Sequence, residues 1–174
     1  MSKEINIGLF GFGCVGQGLH DVLKRSNGFK ASIDKIAIKN PDKARSLPAN
    51  LFTTNHDDIL DNPGINTVVE LIDDADAAYQ VVTKALKSGK NVVTANKKML
   101  AFHLEELVDL QVKHNVSLLY EASCCGSIPI IRNLEEYYDN DLLSSVSGVF
   151  NGSSNFILTK IFQQVLDYAT ALKQ

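Results

Sequence analysis

The sequence has no tryptophan, only three cysteines and two methionines, and no long apolar stretch. The cysteines, Cys14, Cys124 and Cys125, are odd in number and lack metal-ligand spacing, which argues against a disulfide framework or structural zinc. No segment approaches the roughly 18 consecutive apolar residues of a membrane span. Excess charge is lacking too: 17 Lys and Arg face 20 Asp and Glu, for a formal net charge of -3. That balance gives no electrostatic reason to expect nucleic acid or an anionic membrane as a partner. The opening residues run straight into a short apolar segment that turns to glycine, unlike a secretory leader. Repeats, low-complexity tracts and long linkers are also missing. What remains is ordinary for a globular chain, 45% hydrophobic and 21% charged. A chain of this size can bury roughly 70% of its unfolded surface in one core. The expectation is a reduced, cytoplasmic protein of mostly α/β structure.

Short apolar runs alternate with segments of helical spacing. Residues 5–10, 33–38, 67–72, 91–94, 116–121 and 145–150 read as strands. Residues 15–24, 57–60, 77–88, 103–114, 128–138 and 155–166 read as helices. Asn62-Pro63-Gly64 marks a turn, Gly89 closes a helix, and Pro129 suits a first helical turn. Strands alternating with helices imply parallel βαβ units, which bind ligands at the carboxyl ends of their strands. From 167 to 174 the sequence is helix-like and stops without a capping signal, which predicts a fragment.

Between the first strand and the first helix stands Gly11-Phe12-Gly13-Cys14-Val15-Gly16, a G-x-G-x-x-G pattern. Gly11 permits the tight turn, Gly13 lets a pyrophosphate approach the backbone, and Gly16 allows close helix–strand packing. In a strand–loop–helix context the pattern predicts dinucleotide binding; otherwise it is a structural turn. Cys14, inside the loop, reads most simply as a small filler. About 20 residues past the loop, NAD-specific sites usually place a carboxylate for the ribose. Here the chain has Ile38-Lys39-Asn40-Pro41-Asp42-Lys43. A cation at Lys39 would attract a 2′-phosphate, so NADP(H) is expected over NAD(H). The alternative is a solvated loop of Lys39, Lys43 and Arg45, with Asp42 serving the ribose.

Three later segments follow strand ends. Val92-Val93-Thr94-Ala95-Asn96-Lys97-Lys98 falls where a nicotinamide should lie. A lysine there can grip a carbonyl or carboxylate or steady the cofactor's amide, although spacing alone favours a solvated pair. Tyr120-Glu121-Ala122-Ser123-Cys124-Cys125-Gly126-Ser127-Ile128-Pro129 offers one carboxylate and a small-residue turn. Such a turn can gather carbonyl oxygens around a hard cation, but plain helix entry with Ser127 as N-cap fits the pattern better. Phe150-Asn151-Gly152-Ser153-Ser154-Asn155 carries N–H groups and hydroxyls suited to a small zwitterion's carboxylate, or to helix capping.

In this order the four motifs closely resemble the N-terminal part of homoserine dehydrogenases, over nearly the whole chain. The resemblance implies an oxidoreductase that reversibly transfers hydride between NAD(P)H and aspartate 4-semialdehyde, giving homoserine. Its place would be the threonine, methionine and isoleucine branch of amino-acid biosynthesis. The implied fold is α/β, a Rossmann-like parallel sheet with helices on both faces, forming a dinucleotide-binding domain over 1–122. The beginning of a truncated α+β substrate and dimerisation domain would follow over 123–174. Phe12, Gly13, Val15 and Gly16 would line the diphosphate. Thr94 and Lys97 would lie near the nicotinamide, with Lys97 also facing the substrate. Glu121 would hold a monovalent cation, sodium in the family, together with backbone oxygens of Cys124, Gly126 and Ile128. Gly152 and Ser153 would touch homoserine, Ser153 standing where the family usually has Thr.

The resemblance also implies that the main proton relay lies beyond Gln174. The chain alone would then bind cofactor without turnover, and the full-length protein would be a homodimer. One departure stands out: Asp73-Asp74 follows Val69-Glu70-Leu71-Ile72, where the family tends to have glycine. Repulsion from a cofactor's phosphates predicts that this loop faces elsewhere. Two other classes compete. A phosphorylating semialdehyde dehydrogenase would use Cys124 or Cys125 as nucleophile, yet no histidine is near them in sequence. A non-catalytic nucleotide-sensing module would share the fold, but has no need of Lys97 or the Asn-Gly-Ser-Ser-Asn segment.

Overall fold

The computed structural model describes residues 4–26, 28, 30–126, 128–140, 142–149 and 151–174. The chain divides into two units, Met1–Tyr120 and Glu121–Gln174. No helix among the described residues is long and apolar enough to cross a membrane.

The first unit is built on six strands: β1 (Ile5–Phe10), β2 (Ala31–Ala37), β3 (Phe52–Thr53), β4 (Thr67–Glu70), β5 (Asn91–Thr94) and β6 (Leu118–Leu119). Every pairing is parallel, in the order β3-β2-β1-β4-β5-β6. The order reverses between β1 and β4, which opens a crevice at the carboxyl edge of the sheet. Four helices cover it: α1 (Cys14–Arg25), α2 (Asp57–Leu60), α3 (Ala75–Lys87) and α4 (Lys97–His114).

Period-two alternation assigns the faces. Ile7 and Leu9 of β1, with Ile36 and Val69, pack toward Leu19 and Leu23 of α1. Phe10, Val68 and Val92 point the other way, onto α2, α3 and α4. Helix α3 supplies Ala78, Val81, Val82, Ala85 and Leu86, the spacing of one helical stripe, all buried. Helices therefore stand on both faces, as the alternation of elements implies. At the amino edge, Lys90 is 5% exposed, and its Nζ donates to the carbonyls of Asn62 at 2.6 Å and Ile65 at 2.7 Å. Burial lowers its pKa, while its ammonium satisfies the Ile65 carbonyl and shares the Asn62 carbonyl with the Ile65 N–H.

Several elements depart from the sequence pattern. Strand β3, entered through a short 3-10 turn (Ala49–Leu51), is two residues long and too short to show a period. Helix α4 begins at Lys97 rather than 103, because the Asn96 side chain accepts from the Met99 N–H at 2.9 Å and starts the helix there. Strand β6 pairs only over Leu118–Leu119 instead of 116–121.

The second unit holds a 3-10 turn (Glu121–Ser123), α5 (Ile130–Tyr137), α6 (Gly152–Gln164) and α7 (Tyr168–Lys173). The strand expected over 145–150 is not formed. Residues 143–149 are irregular and exposed, and Phe150 lies outside the described residues. A strand is a pairing state, and among the described residues no strand borders this run.

Candidate functional site

One row of paired residues crosses the carboxyl edge: Thr53, Ala37, Phe10, Glu70 and Thr94. The loops leaving that row enclose a cavity of about 910 Å³ lined by Gly11 to Gly16, Lys39, Asn40, Lys43, Arg45, His56 and Leu71 to Asp74.

The glycine loop is shaped by close approaches. Gly11 sits at φ +96°, and a Cβ there would stand 2.7 Å from the Leu71 carbonyl oxygen. A Cβ on Gly16 would stand 2.5 Å from the Gly11 oxygen, so α1 can start only over glycine. Gly13 differs, because a Cβ there meets nothing within 4 Å. The protein's own packing does not require glycine at 13, and Gly13 is among the residues that line the cavity. The first bond of α1 runs from the Gln17 N–H to the Gly13 carbonyl at 3.0 Å. Helix geometry leaves the amides of Cys14, Val15 and Gly16 without partners inside α1, facing a positive dipole end with no acid in the first turn. Such a helix start can receive an anion.

The basic side of the cavity comes from the loop after β2. Lys39 is exposed. Arg45 serves the loop itself: its guanidinium donates to the carbonyls of Lys43 and Asn40, both at 2.7 Å, and lies 5.2 Å from the Phe52 ring centroid. Phe12 packs edge-on to that ring at 5.4 Å.

The loop after β4 does not face elsewhere. Asp73 and Asp74 line the same cavity as the glycine loop. The charge of Asp74 is managed locally, since its carboxylate caps α3 by accepting from Asp76 N at 3.0 Å and Ala77 N at 2.9 Å. The Ala77 hydrogen bond, with help from Lys39 and Lys98, holds its pKa below the ordinary carboxylate value.

Thr94 and Lys97 diverge in role. Thr94 is fully buried, and its hydroxyl donates to Glu70 Oε2 at 2.5 Å and accepts from Asn96 N at 3.1 Å. Thr94 is thus not among the residues that line the cavity of the glycine loop, and no part of it is exposed there. Lys97 is exposed at the first position of α4, followed by exposed Lys98, with no acidic residue in that turn. Glu70 and Asn96 are residues the sequence reading passed over. The available signal was a single carboxylate closing the apolar run Thr67-Val68-Val69-Glu70. Burial raises the Glu70 pKa, a shift partly offset by its bonds to Thr94 and Ile72.

In the second unit, Glu121 serves α5. Its Oε1 accepts from Ile131 N at 3.3 Å and its Oε2 from Arg132 N at 2.8 Å. The helix-entry role expected of Ser127 lies outside the described residues, and Pro129 stands at the position just before the first turn. The turn then folds back through Cys125 (φ 53°) and Gly126 (φ 59°), with the Cys124 and Cys125 sulfurs 3.7 Å apart and Ile128 N bonded to the Cys125 carbonyl. Asn151 caps α6 by accepting from Ser154 N at 3.0 Å. Gly152 and Ser153, in the first turn, border a hollow of about 450 Å³ shared with Phe156, Ala171 and Leu172.

Two family models match the chain. One, the NAD-binding domain of homoserine dehydrogenase, covers residues 11–121, and the other, homoserine dehydrogenase, covers 129–174. The homoserine dehydrogenase of Bacillus subtilis is 36% identical over 181 residues, spanning 99% of this chain and 42% of the relative. The crystal structure of a homoserine dehydrogenase from Thiobacillus denitrificans superposes with a TM-score of 0.89 at 35% identity, again over 99% of this chain and 42% of that one. A hyperthermophilic archaeal homoserine dehydrogenase, solved in complex with NADPH, shares the fold with a TM-score of 0.76 at 23% identity, over 98% of this chain and 60% of that one. The chain thus spans under half the length of the curated relatives it matches. With a switch-point crevice, a glycine loop and a family match running from Gly11 to Glu121, this chain belongs to the homoserine dehydrogenase family.

Proposed function

We propose that the chain forms the cofactor-binding part of a cytoplasmic, homodimeric enzyme that interconverts homoserine and aspartate 4-semialdehyde. The observation that carries this reading is Gly13, a glycine with open space around it at the mouth of α1, inside a cavity edged by cations. When bound, the nicotinamide supplies or takes up the hydride. The loop residues Gly11, Phe12, Gly13, Cys14, Val15 and Gly16 receive the diphosphate on free α1 amides. Lys39 meets the adenosine end and favours a 2′-phosphate, so NADP(H) is preferred. The turn from Thr94 to Lys97 receives the nicotinamide, with Thr94 supporting the turn from beneath through its bonds to Glu70 and Asn96. The Lys97 ammonium also steadies the substrate oxygen as charge builds on it.

Gly152 and Ser153 present amides and a hydroxyl to the amino acid. Residues 1–122 act as the dinucleotide domain, and 123–174 open the substrate and dimerisation domain. A sodium ion suits the donors at Glu121, Cys124, Gly126 and Ile128 in kind, since one carboxylate and three carbonyls are all hard oxygens. Glu121 would share that ion with the α5 amides it already serves.

The test is to titrate the 174-residue chain with NADPH, following nucleotide fluorescence free of tryptophan background, and to assay homoserine oxidation in the same samples. Binding with negligible turnover is expected. Absence of binding would overturn the cofactor reading, and turnover matching an intact relative would overturn the assignment of the proton relay to other residues. In the same titration, Lys39→Ala is expected to weaken NADPH binding by roughly ten- to a hundredfold, the worth of one charged hydrogen bond, and to leave NADH binding nearly unchanged. Equal losses for both nucleotides would remove Lys39 from the 2′-phosphate site.

A further inference from the structure

A carboxylate buried among valines is costly unless something requires it. Glu70 is fully buried at the last position of β4, beside the topological switch point. Its Oε1 accepts from Ile72 N at 2.7 Å, and its Oε2 accepts from the Thr94 hydroxyl at 2.5 Å. That hydroxyl takes the Asn96 N–H at 3.1 Å. Asn96, 8% exposed, closes the ring: its Nδ2 donates to the Ile72 carbonyl at 3.0 Å and its Oδ1 accepts from Met99 N at 2.9 Å. The backbone adds Ala95 N to the Glu70 carbonyl at 3.2 Å. On its other flank the same loop is anchored to β1, with Leu71 N bonded to the Phe10 carbonyl at 2.8 Å.

The result is a closed ring of hydrogen bonds joining the loop beside Gly11 to the turn that starts α4. Glu70 and Thr94 sit at the paired ends of two strands, with Ile72 and Asn96 just beyond them, so the turn cannot shift without breaking a buried bond. Lys97 is the next residue after the ring, and its own N–H bonds the Ala95 carbonyl at 3.1 Å.

We propose that Glu70 is a positioning residue for hydride transfer, holding the Thr94–Asn96 turn so that Lys97 is presented to the reacting end of the site. This rests on the reading of Lys97 given above. An apolar side chain would avoid the desolvation cost but leave the Ile72 N–H and the Thr94 hydroxyl without their acceptor, so the acid serves this turn rather than the sheet ladder or the core. The ring acts on a turn, and a mobile turn at a reacting centre is expensive because displacement by about 1 Å can cost roughly a hundredfold in rate.

The test uses the full-length protein with Glu70→Gln, which keeps the volume but cannot accept the Thr94 hydroxyl hydrogen at its amide nitrogen. Three quantities are measured: amide hydrogen exchange over 94–99, the NADPH dissociation constant, and kcat for homoserine. Faster exchange over 94–99 by about tenfold is expected, with α3 unchanged. A fall in kcat of roughly tenfold or more should accompany it, with NADPH affinity within about twofold of wild type. Unchanged exchange, or changed exchange with unchanged kcat, overturns the proposal. A parallel loss of protection in α3 overturns it too, because that marks a general loss of stability.

Should Glu70→Gln fail to fold, Thr94→Val removes the hydroxyl at constant volume and should speed exchange over 94–99, whereas Thr94→Ser, which keeps the hydroxyl, should retain the slow exchange there. Lys97→Ala separates the two readings. If its turnover is normal, the role of Lys97 fails whatever Glu70 does, while exchange over 94–99 still reports on the ring.

Discussion

Lys97→Ala in the full-length protein is expected to lower kcat/KM for homoserine by roughly a hundred- to a thousandfold, as loss of a preorganised charge at a reacting oxygen does. The fold should not suffer. Lys97 and Lys98 occupy the first two positions of α4, both exposed, in a turn without acids. Cations near the positive end of a helix each cost about 0.3–1 kcal/mol. Removing one should therefore leave the melting temperature unchanged or slightly raised. A site that gives up stability to keep a charge points to that charge's use outside the fold. Steady-state kinetics beside a thermal melt decides the matter. Normal turnover, or a loss explained by a lower melting temperature, would take Lys97 out of the site.

The glycine loop gives the second large effect, through two substitutions with opposite signatures. Gly13→Ala adds a methyl group where nothing in the protein stands within 4 Å. Its melting temperature should hold, while NADPH binding weakens by at least about tenfold because the methyl enters the space needed for close backbone approach. Gly16→Ala adds the same group 2.5 Å from the Gly11 oxygen. In an ordinary helix interior this change stabilises by about 1 kcal/mol. Here the clash should reverse the sign and cost about 1–3 kcal/mol, through displacement of the loop backbone. Calorimetry and nucleotide titration on both variants separate a glycine kept for a ligand from one kept for packing. If Gly13→Ala bound NADPH normally, the diphosphate would have to lie elsewhere.

Much of the nucleotide unit was legible because its signals are local. The G-x-G-x-x-G spacing, the stripe of α3 and the Asn62-Pro63-Gly64 turn each depend on neighbours a few residues away. The order of these elements fixed the parallel sheet, since βαβ crossovers leave little choice of topology. The weak places were elements defined by partners rather than by composition. Strand β3 exists because Ile36 and Ala37 offer an edge. Residues 145–149 have strand composition and, among the described residues, no strand beside them.

The sequence by itself determined the chain's family, its glycine loop and the ends of the strands that lead into the Gly11 and Thr94 segments. Only the tertiary structure decided how the polar groups are spent. Thr94 reads as a cofactor contact, yet its hydroxyl is committed to Glu70, 24 residues away in the chain. Asp73 and Asp74 read as charges that must turn from the cavity, yet they line it, with Asp74 anchored on the amides of α3. Arg45 reads as part of a solvated loop, yet it clamps that loop through two carbonyls. In each case the partner is set by folding, which brings strand ends and loops together across the sheet, and desolvation then makes the nearest available hydrogen bond obligatory.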